Sequence, residues 1–270
     1  MLFTVEEKKG TSMRLYLLPA LLVSVLALSS CGSGQSSSSV NEGESTSPST
    51  EADIAVLMMG NSHTAANGLP VLLETLLRNN QPTQSIMVER IPASGFLIDH
   101  ADSSSTLDNV ASGKWTHVVL QGQKYSQSFQ IEYPITGALT LIEAAQNAKA
   151  LPIMFPEWAQ INAPQETDYI HNIHENIALQ TGACVAPIGY AWEHALTINP
   201  EVTLHANDGN HAVLAGSFLT ALVIYETITG HAAELTVPDT SFDISESQQI
   251  FLGQMASYAV ANHPACEYSN

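Results

Sequence analysis

Two short segments about 150 residues apart hold the side chains best suited to chemistry: Gly60-Asn61-Ser62-His63-Thr64 and Asp208-Gly209-Asn210-His211. The first follows the apolar run Ile54 to Met59 and leads into a small-residue turn, so Ser62 is expected where a buried strand stops and a helix begins. A serine there is exposed and lies beside backbone N–H groups that have no intrahelical acceptor. The second puts an acid three residues ahead of a histidine on a polar loop, where one turn can aim both side chains at one spot. Hydroxyl, imidazole and carboxylate are the nucleophile, base and orienting acid of acyl transfer. Each segment also has a plainer reading, an N-capping serine and an ordinary Asp-Gly turn. Their joint occurrence, in this order and at matching places in an alternating pattern, favours the chemical reading.

That pattern must position them. Asp53 to Gly60 reads as a strand, Leu69 to Asn80 as a helix, Ser85 to Ile91 as a strand and Ser103 to Ser112 as a weak helix. Trp115 to Gln121 is the next predicted strand, Ile135 to Lys149 a helix, Pro152 to Phe155 a strand and Glu166 to Gln180 a helix. Cys184 to Ile188 follows as a strand, Val213 to Thr229 as a long amphipathic helix, and Ser247 to Ala261 as a terminal helix packed on the same domain. Strand and helix taking turns implies a parallel sheet with helices on both faces, and ligands then collect at the carboxyl ends of the strands. Ser62, the Gly95 region, Gln121 to Lys124 and the Asp208 loop all fall at that edge.

The 270 residues, 45% hydrophobic and 13% charged, suffice for one sizeable core. Three sections are predicted. Residues 1–30 carry Lys8, Lys9 and Arg14 ahead of the apolar stretch Leu15 to Leu28, too short to span a bilayer comfortably, and read as a signal peptide, with Met13 an alternative start. Residues 31–52 are a Ser-rich tether, and residues 53–270 the main domain. Leu28-Ser29-Ser30-Cys31 resembles the bacterial lipobox, which implies lipidation of Cys31 and a lipoprotein held at the cell envelope; Gly32 after it points to the outer membrane.

Removing Lys8, Lys9, Arg14, Glu6 and Glu7 with the leader leaves 5 basic and 24 acidic residues, a formal charge of −19. Such a surface repels nucleic acid, so no nucleic-acid partner is expected. Cys184 and Cys266 could pair in an oxidising compartment or stay as two free thiols; the sequence leaves both open. His171 and His174, at i, i+3, could share a metal, but no third ligand is near in sequence, so a solvated polar helix face is expected and no metal. His63 could line the pocket or merely begin a helix, and Trp158 and Trp192 could form a sugar-binding wall or simply pack.

From about Ile54 to Gly230 the chain resembles the SGNH hydrolases, the GDSL-type esterases and lipases. Gly60-Asn61-Ser62 is similar to the family's Gly-Asp-Ser block, Gly95 in Pro92-Ala93-Ser94-Gly95 to its second-block glycine, and Asp208 with His211 to its last block. Pro187 to Trp192 and Gly216 to Ala221 look like a bacterial branch that writes the first block with asparagine. The third block departs: where the family has Gly-x-Asn-Asp, this chain has Gln121-Gly122-Gln123-Lys124.

The resemblance implies an SGNH/flavodoxin-like three-layer α/β sandwich and a serine esterase that needs no cofactor. Its catalytic residues would be Ser62, His211 and Asp208. Its oxyanion would be met by the N–H groups of Ser62 and Gly95 and the amide of Gln123, with Gln121 as fallback. Short acyl or acetyl esters, carried by a small molecule or a glycan, are the expected substrates. The alternatives are a lipase or lysophospholipase, a non-catalytic glycan-binding lipoprotein on the same fold, and a metal-dependent hydrolase using His171 and His174.

Overall fold

The computed structural model describes residues 52–266. The predicted leader, the Cys31 lipidation site and all but the last residue of the tether lie outside the described residues.

Strand β1 (Ile54–Met59) is buried along its whole length, which is why it reads as an unbroken apolar run rather than an alternating one. It feeds the one-turn helix α1 (Ser62–Ala65), then α2 (Leu69–Asn80), β2 (Ile86–Arg90), α3 (Leu97–Ala101), α4 (Ser104–Val110) and β3 (His117–Gln121). The chain continues through α5 (Thr136–Asn147), β4 (Leu151–Phe155), α6 (Glu166–Thr181), the two-residue β5 (Cys184–Val185), α7 (Ile188–Ile198), α8 (Leu214–Thr229) and α9 (Glu246–Asn262). All five strands are parallel, in the order β2-β1-β3-β4-β5. The order reverses direction between β1 and β3, and a crevice at the carboxyl ends opens at such a switch point.

Successive side chains of β1 point to opposite faces. Ile54, Val56 and Met58 join a core with residues of α2, α7, α8 and α9, whereas Ala55, Leu57 and Met59 join one with residues of α3, α4 and α5. Helices therefore cover both faces, and the expected α/β three-layer sandwich is the observed one.

Three elements differ from expectation. The strand predicted to run to Ile188 stops at Val185, and Ile188 opens α7, whose Ile188, Ala191, Trp192 and Ala195 are buried at helical spacing. Helix α8 is not amphipathic: Ala215 through Tyr225 are buried without a break, because α2, α7 and α9 surround it. Burial on all sides removes the need for a polar face. Short α3 went unforeseen.

Cys184 in β5 is bonded to Cys266, which follows α9, so the pairing left open by the sequence is made. Closing a loop of 82 residues restricts the unfolded chain and stabilises the fold by about 4 kcal/mol. Reduction of this bond is expected to lower the thermal midpoint by roughly 10 °C. Melting curves with and without reductant, and of Cys266→Ser, would check this: the variant should start at the reduced value and not respond to reductant.

Candidate active site

The turn after β1 is shaped by close approach. Gly60 sits at φ 155°, and a Cβ on it would overlap the side chains of Gln121 and Thr64. Gln121 ends β3 and is fully buried; its Oε1 accepts from the Asn61 N–H at 2.9 Å and from the Thr64 hydroxyl at 3.0 Å. Its Nε2 donates to Glu157 Oε2 at 2.7 Å. Asn61 caps α1, with its Oδ1 accepting from the His63 N–H at 3.0 Å. Ser62 is thereby held as the first, exposed residue of the helix.

The loop carrying the acid and the histidine is pinned from two sides. His205 and Ala212 form an antiparallel bridge, and Ala206 N–H donates to His211 O at 2.7 Å. The segment after β4 holds the tip: Trp158 Nε1 donates to Asn210 O at 2.8 Å, and Ile161 N–H to Gly209 O at 2.9 Å. From the Ser62 side, the Asn67 amide donates to Ala212 O at 2.9 Å. Registered this way, Ser62 Oγ lies 2.8 Å from His211 Nε2 although 149 residues separate them.

His211 Nδ1 lies 2.6 Å from Asp208 Oδ2, and Asp208 Oδ1 accepts from the N–H groups of Asn210 and His211. The backbone N–H of Asn210, the His211 ring and the His211 N–H hold the Asp208 carboxyl well below the usual carboxylate range. An ionised Asp208 accepts the proton on Nδ1, which leaves Nε2 with a lone pair facing the Ser62 hydroxyl.

A cleft of about 730 Å³ opens over this array, and Asn61, Ser62, His63, Phe96, Glu157 and His211 are among its walls. His63 lines it from the first turn of α1: its ring stacks on His211 with centroids 5.0 Å apart and meets Trp158 edge-on. Burial, reinforced by the nearby His211, pulls the His63 pKa down to about 4, so it is neutral at pH 7. Trp158 and Trp192 stack on each other at 4.1 Å and are almost wholly buried, which makes them packing residues rather than an exposed wall.

Glu157, which follows β4, was not anticipated. Burial pushes its pKa up to about 7; bonds from Gln121 and Tyr125 pull the other way, Glu166 raises it further, and His211 lowers it. His63 Nε2 is 3.9 Å away. A folded pKa above the ordinary 4.5 means that the fold prefers the neutral acid. That contribution is complete below about pH 4.5 and is lost as pH rises through about 7, an effect of order 3 kcal/mol. Glu157→Gln should therefore melt like the wild type at pH 5 and several degrees higher at pH 8.5. Equal melting points at both pH values would contradict this.

The remaining expected residues are placed as follows. The Gly95 N–H donates to Gly60 O at 3.2 Å. Gln123 lines the cleft, but its Nε2 donates to the carbonyls of Lys124 and Pro134, both at 3.2 Å. Gln121 braces the Asn61-Ser62 turn from beneath it, with both amide atoms engaged.

His171 and His174 do not form the solvated face expected of them. Both are buried, because α6 turns that side toward α7 and the end of α9, where His171 packs on Tyr190. Among the described residues no cluster of three or more His, Cys, Asp or Glu could hold a metal ion.

Neither a protein-family model nor a curated protein matches the chain. Solved structures do. A DUF4886 family protein from Bacteroides uniformis is 16% identical over 78% of this chain and 95% of its own, with a TM-score of 0.58. LAE5, an alpha/beta hydrolase enzyme from the metagenome of Lake Arreo, is 17% identical over 66% and 96%, with a TM-score of 0.52. A protein of Slackia heliotrinireducens assigned to the SGNH hydrolases is 26% identical over 64% and 97%, with a TM-score of 0.48. The fold is thus shared with structures of the hydrolase type.

Proposed function

We propose that this protein is a serine esterase of SGNH type that removes short acyl groups, acetyl foremost, from hydroxyl-rich molecules such as glycans. The observation that carries the reading is the continuous chain from Ser62 Oγ through His211 to Asp208, at 2.8 and 2.6 Å, with Ser62 and His211 lining an open cleft. His211 Nε2 takes the Ser62 proton as Oγ bonds to the ester carbonyl carbon, and the C=O electron pair moves onto its oxygen. The N–H of Ser62, first in its helix and without an intrahelical acceptor, is placed to meet that charge. Collapse breaks the C–O bond to the alcohol, which leaves with the proton from His211. Water then repeats the sequence and frees the acid.

The cleft's chemistry supports the substrate class. Gln123, Ser126, Gln127, Ser128, Gln160 and Asn210 surround it with amides and hydroxyls, groups that pair with sugar hydroxyls better than with an alkyl chain. Phe129 and Ile131, both exposed, lie on the loop that borders the cleft and favour a second reading in which longer acyl chains are accepted. Lipidation of Cys31 would hold the enzyme at the cell envelope, with residues 32–52 as its tether.

The test is turnover of 4-nitrophenyl esters of increasing chain length and of acetylated oligosaccharides, together with labelling of Ser62 by a fluorophosphonate. Activity that peaks at acetyl supports the first reading, and activity rising with chain length the second. Folded protein with neither turnover nor labelling would favour a non-catalytic binding role.

A further inference from the structure

The oxyanion needs donors, and the expected side chains are engaged elsewhere. Gln121 is buried under the turn, the Gln123 amide binds two carbonyls, and the Gly95 N–H meets Gly60 O. Asn61 is different. Its Oδ1 is occupied by the His63 N–H, which orients the amide, and its Nδ2 has no hydrogen-bond partner among the described residues.

That nitrogen lies close to Gly122. This residue sits at φ 98°, and a Cβ built on it would lie 3.2 Å from Gly95 O and 3.8 Å from Asn61 Nδ2. The Asn61 amide therefore reaches the point where the loops after β1, β2 and β3 converge, beside the nucleophile and on the cleft wall. A Cβ at 122 would crowd Gly95 O, and the positive φ itself favours glycine at this convergence.

We propose that Asn61 Nδ2 donates to the oxyanion formed when Ser62 attacks the ester, so that the donor normally expected from the loop after β3 is supplied by the residue preceding the nucleophile. The proposal rests on the serine-esterase reading. It also gives the asparagine in Gly60-Asn61-Ser62 a chemical purpose: aspartate can cap α1 equally well, but it has no N–H to give.

Two variants separate the roles of the side chain. Asn61→Asp retains the capping oxygen and loses the amide donor. Asn61→Ser retains an N-capping hydroxyl, is uncharged and cannot reach as far. Both are expected to lower kcat toward 4-nitrophenyl acetate by about 10² to 10³-fold with KM little changed and the thermal midpoint near that of the wild type. Wild-type kcat in Asn61→Ser overturns the proposal, including the case in which Asn61→Asp alone is impaired, since that loss would come from added charge. A wild type that turns over no ester and is not labelled at Ser62 sinks the esterase reading and this proposal together. An active wild type with unimpaired variants sinks this proposal alone.

Discussion

Ser62→Ala is expected to reduce kcat toward 4-nitrophenyl acetate by about 10⁶-fold while leaving the fold and its melting point intact. The side chain is exposed and, among the described residues, its hydroxyl makes one hydrogen bond, to His211, so removing it should leave the fold undisturbed. His211→Ala should cost about as much, because a serine hydroxyl without a base at 2.8 Å is a poor nucleophile at neutral pH. The double variant should be no worse than either single one, since two groups that act as a unit cannot be lost twice. Additive losses, each variant multiplying the other's deficit, would show that the two residues work separately and that the proton-transfer chain is not the catalytic device.

Asp208→Asn is the next largest effect, a drop in kcat of about 10⁴-fold. Asparagine can keep the Oδ1 contacts to the N–H groups of Asn210 and His211, so the turn should survive. It would place an amide N–H against His211 Nδ1, where the carboxylate oxygen now lies at 2.6 Å. The imidazole would then carry its proton on Nε2 and present a donor to Ser62 instead of a lone pair. Asp208 is 52% exposed, so water can take over part of its role, and Asp208→Ala is expected to retain more activity than Asp208→Asn. Kinetics of the two variants at pH 7 check the order; the reverse order would mean that the Oδ1 contacts holding the turn, rather than the tautomer, are what Asp208 contributes.

Much of this arrangement is legible along the chain because its determinants are local. Parallel strands buried on both faces are mostly apolar, so β1, β3 and β4 stand out by the short runs Ile54 to Met59, Val118 to Leu120 and Pro152 to Phe155. Asp208 and His211 lie three residues apart, so one turn is enough to join them, and the strand-to-helix junction at Ser62 is written in Gly60 and the polar cap. Elements were misread where two readings share one composition. Ala186-Pro187-Ile188 continues an apolar stretch equally well as the end of a strand or the start of α7, and the short β5 is settled by pairing with β4. Helix α6 has polar residues on several sides, so nothing in its spacing says that His171 and His174 face inward.

By itself, then, the sequence determined most of the strands and long helices and which side chains have the chemistry of nucleophile, base and orienting acid, since backbone periodicity and side-chain chemistry are properties of neighbours. Tertiary structure alone decided where the amides point. Gln121, Gln123 and Asn61 carry the same functional group within reach of one crevice, and hydrogen bonding to Glu157, to two loop carbonyls and to the His63 N–H assigns them different tasks. Buried polar atoms take whichever partners the packed fold brings to them, and those partners come from segments that no spacing along the chain places side by side.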